Sequence, residues 1–156
     1  MDIYNKHFEL RQETPGYWHN KSLDLLVSAR TLWRAMQSEK ELKINCWATY
    51  KMLMGMSFEL LFKAHCIGSG KYLSTTHDLV VLANTASLPT SKDENKILKV
   101  LTEYIIWDGR YPTPKKLEHL ERHWKNKANG LDDSLEFEEL MPIWRRFSDS
   151  FIEQYN

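Results

Sequence analysis

Several features that would mark a particular class of protein are scarce in this sequence. It has two cysteines in 156 residues, and no apolar run reaches the roughly 18 residues of a membrane-spanning helix. Its first residues lack the hydrophobic core of a secretion signal. The alternation of apolar and polar residues that is typical of strands is almost absent. These absences exclude a disulfide-rich scaffold and predict a cytoplasmic, all-α protein without a membrane partner.

The two cysteines, Cys46 and Cys66, fall within one predicted helix. Twenty residues separate them, so they lie about 30 Å apart if that helix is continuous. A disulfide between them is therefore excluded. We expect two free thiols, as in a reducing compartment.

The chain also has little that points directly to a ligand. Its 21 basic and 21 acidic residues cancel, so total charge gives no general reason to expect nucleic-acid or membrane binding. The phosphate-binding patterns GxxxxGK[ST] and GxGxxG and the nucleophile elbow GxSxG are missing. No cofactor is expected. A polyanion would have to recognise an uneven distribution of charge.

Helical periodicity begins near residue 19 and predicts a single antiparallel bundle of four to five core helices plus a C-terminal helix. Residues 1–17 show no such periodicity and are expected to form an irregular arm. A first helix is predicted from about His19 to Ser38. Its apolar side holds Leu23, Leu26, Val27 and Trp33, widened by Leu25, Ala29, Leu32 and Met36.

The second predicted helix, from about Ile44 to Ile67, is apolar nearly all round. Such a helix is surrounded by others, so it should form the centre of the bundle. Gly68-Ser69-Gly70 is a typical C-terminal stop. The core residues expected here are Trp47, Tyr50, Leu53, Met56, Phe58, Leu60, Leu61, Phe62 and Cys66.

The later helices are predicted from their end signals. Capping boxes at 75–78, 91–94 and 133–136 should open a short helix, a helix to about residue 107 and the C-terminal helix of 132–156. Gly109 suits a left-handed cap, and Thr113-Pro114 suits the start of a helix to about Lys127. Pro142 is expected to kink or restart the last helix. The inward residues of the 91–107 helix should be Ile97, Leu98, Leu101, Tyr104 and Ile105.

A pair of opposite charges stands on the apolar second helix. Glu59 and Lys63 stand one turn apart, and such residues are rarely buried without a partner. One interpretation is an ion pair on a thin exposed strip. The other is that Glu59 faces a cleft and meets an arginine, namely Arg30, Arg34 or Arg110.

The short segment His77-Asp78 also carries chemistry. A carboxylate at the start of a helix interacts favourably with the helix dipole, which accounts for Asp78 by itself. His77 is a weak candidate for a catalytic base, since no nucleophile stands next to it in sequence.

Residues 110–127 concentrate positive charge beside aromatic rings. Lysines and arginines interleaved with stackable rings suit a single-stranded nucleic acid or a nucleotide. The alternative is a solvated helix whose charge is balanced by the acidic residues of 132–139. His119 and His123 have metal-ligand spacing, but Leu120 replaces the glutamate of the zinc motif, so no metal is predicted. The basic and aromatic residues are Arg110, Tyr111, Lys115, Lys116, Arg122, Trp124, Lys125 and Lys127.

The order of these motifs resembles the HEPN-domain proteins over about residues 18–125. The shared features are Trp18 with Leu23-Asp24-Leu25-Leu26, the stretch from Phe58 to Ala64, His77-Asp78-Leu79 and the stretch from Trp107 to Pro112. The resemblance implies a helical bundle that dimerises, in a family with metal-independent ribonucleases of toxin–antitoxin and defence systems and with RNA- or nucleotide-binding modules.

The family's ribonucleases use an arginine and a histidine with four to six residues between them, and no such pair is present here. Between Arg110 and His119, for example, there are eight residues. The resemblance therefore implies a non-catalytic module that binds a nucleotide, RNA or a protein encoded nearby. The alternatives are an atypical ribonuclease using His77 and Arg110, and a purely structural partner. The expected binding residues are Glu59, Lys63, Asp78, Arg110, Tyr111, Lys115, Lys116 and Trp124.

Overall fold

A computed structural model of the chain describes residues 2–71, 75–132 and 135–155, and in these ranges every regular element is helical. The all-α prediction is confirmed. The elements are α1 (Ile3–Glu13), α2 (Pro15–Ser38), α3 (Leu42–Gly68), α4 (Leu79–Thr85), α5 (Lys92–Glu103) with a π-helical extension (Tyr104–Asp108), α6 (Leu117–Ala128) and α7 (Phe137–Tyr155).

Helix α3 is the centre of the bundle, as predicted. It packs most extensively on α2 and also contacts α4, α5, the π-helical extension and α7. Phe62 of α3 meets Phe147 of α7 edge to face, with ring centroids 5.3 Å apart. The cysteines of α3 are free, as expected. The apolar residues that α3 buries are Tyr50, Met54, Phe58, Leu61, Phe62, Ala64 and Cys66.

The inward face of α2 differs from the prediction. Leu23 and Val27 are 43% and 41% exposed, so assigning them to the core was wrong. The rotation of α2 about its axis follows from its close contact with α3 at Ser22 and Ser57. The hydroxyl of Ser22 donates to the Ser57 carbonyl (2.6 Å), and the Ser57 hydroxyl donates to the Ser22 carbonyl (2.8 Å). The buried side of α2 consists of Ser22, Leu26, Ala29, Trp33 and Met36.

The N-terminal arm is helical, so the irregular conformation expected for 1–17 was wrong. Asp2 caps α1 by accepting from the Tyr4 amide (3.3 Å), and Pro15 occupies the start of α2, where its missing N–H has no cost. None of the α1 residues is buried. A helix without a buried face has no amphipathic pattern, which explains why the periodicity failed to reveal it.

The helix starts were predicted with mixed success. Ser91 and Glu94 form the expected capping box on α5. Asp78, and not Thr75, caps α4, because its carboxylate reaches two amides of the first turn. The 133–136 box includes residues 133 and 134, which lie outside the described ranges. Helix α6 begins at Leu117 rather than at Pro114, since the Thr113 hydroxyl donates to the Pro114 carbonyl (3.4 Å) instead of capping the next turn.

Glycine is required at position 109 because there is no room for a side chain, and not because the backbone adopts a conformation that only glycine tolerates. Its φ is −75°, so the expected left-handed cap was wrong. A Cβ at this position would lie 2.3 Å from the Cβ of Met52, because α3 and the end of the π-helical extension touch here. Gly70, with φ of 68°, does terminate α3 in the left-handed region. Pro142 lies inside a continuous α7.

Two histidines, one on α2 and one on α3, connect these helices to α7. His65 is buried on α3 and hydrogen bonds through Nε2 to the Phe147 carbonyl (2.8 Å). His19 on α2 hydrogen bonds to Ser148 (2.8 Å) and stacks on Phe151 with centroids 4.7 Å apart. Burial lowers the pKa of both imidazoles, and for His19 the neighbouring His65 adds to the effect.

These lowered pKa values predict a loss of stability on mild acidification. The unfolded chain takes up protons below about pH 6.5, while the folded state resists them, so the free energy of unfolding should fall as the pH drops from 7 towards 5. Urea denaturation across this range measures the slope. His65→Gln retains a donor for the Phe147 carbonyl and should flatten the profile, whereas the exposed His7→Gln should leave it unchanged. An unchanged slope in His65→Gln would contradict the assignment.

Candidate functional site

The first predicted site residues, Glu59 and Lys63, form a buried pair that contacts the half-exposed side chain of His77. Glu59 and Lys63 approach to 3.4 Å, and their side chains are only 7% and 11% exposed. The His77 Nδ1 hydrogen bonds to the same oxygen of Glu59. The predicted ion pair is therefore present, but its expected position on an exposed strip was wrong. The further partner of Glu59 is a histidine instead of an arginine. The cluster attaches the segment before α4 to the middle of α3.

Asp78 performs the capping role that the sequence assigned to it. Its carboxylate accepts hydrogen bonds from the amides of Val80 (3.0 Å) and Val81 (3.2 Å). These bonds occupy one carboxylate oxygen at the N-terminus of α4. They stabilise the helix start and give Asp78 a structural function.

His77 and Arg110, the weak candidates for catalysis, belong to separate parts of the structure. The guanidinium of Arg110 donates to the Ile105 carbonyl (2.7 Å) and lies 5.7 Å from the centre of the Tyr111 ring. Gly109, the residue before Arg110, lies against Met52 of α3. His77 contacts Glu59, which lies seven residues after Met52 on the same helix. That separation corresponds to about 10 Å along the helix axis. The geometry therefore does not support a shared acid–base pair.

Helix α6 is held in place by two carboxylates on the preceding segment, and Glu103 is the first. Glu103 is 1% exposed and accepts from the Trp107 indole N–H (3.1 Å). It also contacts His119 Nδ1 at 3.2 Å and Arg122 at 3.4 Å. One buried carboxylate thus holds three side chains and fixes the first half of α6.

Asp108 is the second carboxylate. It bonds to the buried His123 (2.5 Å) and lies 3.8 Å from Lys127. Burial opposes the charged form of Asp108, but the hydrogen bond and charge of His123, with Lys127 and Lys51, hold its pKa below the ordinary value. His123 and His119 are therefore each paired to a carboxylate, and no metal-binding cluster occurs among the residues described.

These pairs neutralise part of the basic stretch within the chain. Within the basic stretch 110–127, Arg122 pairs with Glu103 and Lys127 with Asp108, and none of the described residues of 132–139 forms an ion pair with this stretch. In that acidic segment, Asp132 bonds to Lys51 (2.6 Å), and Glu138 accepts from the Trp33 indole (3.0 Å). Part of the charge asymmetry seen in sequence is therefore used in contacts inside the fold.

The remaining predicted residues lie at the surface. Tyr111 is 54% exposed and Trp124 is 66% exposed. Lys115 and Lys116 are exposed and form no ion pair with any residue in the described ranges. Leu117, 69% exposed, stands two turns before Trp124 on the same face of α6. We call these five residues, Tyr111, Lys115, Lys116, Leu117 and Trp124, the α6 surface.

A buried lysine in α3 was not predicted from the sequence. Lys51 is fully buried and lies over the Trp47 ring, 4.2 Å from its centre. Its Nζ donates to Asp132 (2.6 Å) and to the Tyr104 hydroxyl (3.2 Å), which itself donates to Asp132. Burial lowers the pKa of Lys51, although Asp132 opposes that shift. The available signal was a charged residue on an otherwise apolar helix, the same signal that singled out Glu59.

Comparisons of the chain with protein-family models, curated proteins and solved structures gave no match. The HEPN resemblance therefore stays a prediction drawn from the order of short motifs. No helix in the described part of the chain is long and apolar enough to span a membrane.

Proposed function

We propose that the chain is a HEPN-like, non-catalytic module that binds single-stranded RNA through the α6 surface. One observation carries the proposal. Trp124 and the two lysines, Lys115 and Lys116, are exposed, and the lysines form no ion pair with a described residue, while the inner charges of α6 are bound to Glu103 and Asp108. The surface charges are thus available to an external ligand.

The chemistry of this surface suits a flexible polyanion. An exposed indole stacks on a base, which contributes about 1–3 kcal/mol per base. Tyr111 offers a second ring, with the Arg110 guanidinium beside it. The two lysines supply point charges for phosphates, so the surface would bind with little sequence preference.

The HEPN resemblance also implies an oligomeric state, a compartment and a biological system for this module. The module would act as a homodimer in the cytoplasm, in a toxin–antitoxin or defence system, with a partner protein encoded nearby. The separation of His77 from Arg110 supports a binding role over cleavage. RNA cleavage in EDTA that disappears in His77→Ala would overturn the non-catalytic part.

Fluorescence anisotropy with a labelled single-stranded RNA in 50 mM salt tests the binding role. Trp124→Ala should weaken binding by roughly 5- to 150-fold, the equivalent of one lost stack. The double variant Lys115→Gln/Lys116→Gln should reduce the slope of log K against log salt by about 1.4, since each phosphate contact contributes about 0.7.

The matched control replaces two exposed lysines remote in sequence from α6, in Lys40→Gln/Lys92→Gln. This variant has the same net charge as the double lysine variant and should retain the wild-type salt slope. Absence of binding by the wild-type protein in 50 mM salt, or equal losses in both double variants, would contradict the proposal.

A protein partner is the second candidate for the α6 surface. Leu117 and Trp124 expose two large apolar side chains at i and i+7, which is the spacing of anchors on a helix that docks in a groove. In that case Leu117→Ala would abolish capture of the partner encoded nearby, while RNA binding would be absent from the start.

A further inference from the structure

A groove lined by four arginines lies between α2 and α7. Its volume is about 940 Å³, within the range of small-molecule sites. The arginines come from two helices more than 100 residues apart in sequence, which is why no motif revealed them. The apolar part of the groove is formed by Trp33, Phe137, Met141 and Pro142, and the arginines are Arg30, Arg34, Arg145 and Arg146.

Only one of the four guanidinium groups is neutralised within the described ranges. Arg146 donates to Glu94 at 2.6 Å. Arg30, Arg34 and Arg145 form no side-chain hydrogen bond or ion pair there, and the Nε of Arg30 is a buried donor without a partner. An unpaired buried donor is unusual, because folding removes it from water without replacing the bond.

The acidic residues of the groove do not cancel this charge. Glu138 lines the groove and accepts from the Trp33 indole (3.0 Å). Asp149 also lines it, and it forms no ion pair with a described residue. The three arginines other than Arg146 therefore exceed the two lining carboxylates by one, and the groove carries a net positive charge.

Arginine is the side chain best suited to phosphate, because its planar fork donates two parallel hydrogen bonds to the oxygens. Arg30 and Arg34 stand one turn apart on α2, so their side chains leave the same face of the helix. Arg145 faces them from α7. Three unpaired forks around one groove match an anion with several oxygens and more than one charge.

We propose that the α2/α7 groove binds a small molecule that carries a diphosphate group. The site goes beyond the RNA-binding role, since none of its lining residues belongs to the α6 surface. The arginines hold the phosphate oxygens, and the apolar wall of Phe137 and Met141 accommodates the organic remainder of the ligand.

Isothermal titration with inorganic pyrophosphate at constant ionic strength tests the site. The wild-type protein should bind saturably, and Arg145→Gln should weaken binding by roughly tenfold or more, the equivalent of one charge-assisted hydrogen bond. Arg145 is exposed, so its replacement leaves the fold intact. Asp149→Asn removes a repulsive carboxylate and should tighten binding, an effect of opposite sign that general destabilisation would not produce.

The controls separate this groove from the α6 surface. Lys115→Gln/Lys116→Gln should bind pyrophosphate as the wild type does, and sulfate at equal ionic strength should compete only weakly. Absence of saturable binding, or equal affinity in wild type and Arg145→Gln, would overturn the proposal. It would also be overturned if single-stranded RNA displaced pyrophosphate and lost its own binding in Arg145→Gln, because the groove would then be an RNA site.

Discussion

Replacing Asp132 by alanine is expected to lower the free energy of unfolding by about 3–5 kcal/mol, the usual effect of leaving a buried charge without its partner. Lys51 is fully buried, and its Nζ lies 2.6 Å from the Asp132 carboxylate. Without that carboxylate the ammonium keeps the Asp132 backbone carbonyl (3.2 Å), the Tyr104 hydroxyl and the Trp47 and Tyr104 rings. None of these carries a negative charge, so the desolvated charge is left without a counterion.

Urea denaturation monitored by circular dichroism measures this loss. The double variant Lys51→Met/Asp132→Leu removes both charges and should recover most of the lost stability, since replacing a whole buried pair is often neutral or stabilising. Asp93→Ala is the control, because Asp93 is exposed and its contact with Lys96 is 3.7 Å long. Its effect should stay within about 0.5 kcal/mol. Equal losses in Asp132→Ala and in the double variant would argue against a charge effect.

The parts of the fold that were predicted from sequence depend on local signals. The continuous apolar surface of α3 shows that this helix is central, and the Ser91–Glu94 box places the start of α5 because its bonds join residues three apart. The orientation of α2 was not predictable in this way. Its rotation depends on Ser22 meeting Ser57, a contact across two helices that has no trace in the periodicity of either one.

The candidate sites also show this difference between local sequence signals and contacts that form between distant segments. Sequence singled out Glu59 and Lys63 as charges on an apolar helix and predicted their ion pair. It did not predict that the pair is buried, or that the further partner is His77 on a separate segment. For the basic stretch, composition showed excess charge without showing that Glu103 and Asp108 neutralise its inner side. Which cations remain free is a tertiary property, and it decides which surface is available to a ligand.

Replacing Glu103 by alanine should lower the free energy of unfolding by about 2–4 kcal/mol, because it leaves the buried Trp107 indole N–H without an acceptor and creates a cavity. The same carboxylate contacts His119 and Arg122, so α6 loses its first attachment to α5. The α6 surface should then lose its fixed position, and RNA binding should weaken although no proposed contact residue has changed.

Amide hydrogen exchange distinguishes this local effect from a general loss of stability. In Glu103→Ala, the amides of α6 should exchange faster than those of α3, which has its own packing in the core. In Glu103→Gln, the exchange rate of the α6 amides should lie between those of Glu103→Ala and the wild type, because the amide oxygen still accepts from Trp107 while the charge is lost. Glu118→Ala, an exposed position on the same helix, serves as the control and should exchange as the wild type does. If α6 kept its protection in Glu103→Ala, Asp108 and packing would suffice to hold the helix, and Glu103 would not be what orients Trp124 towards solvent.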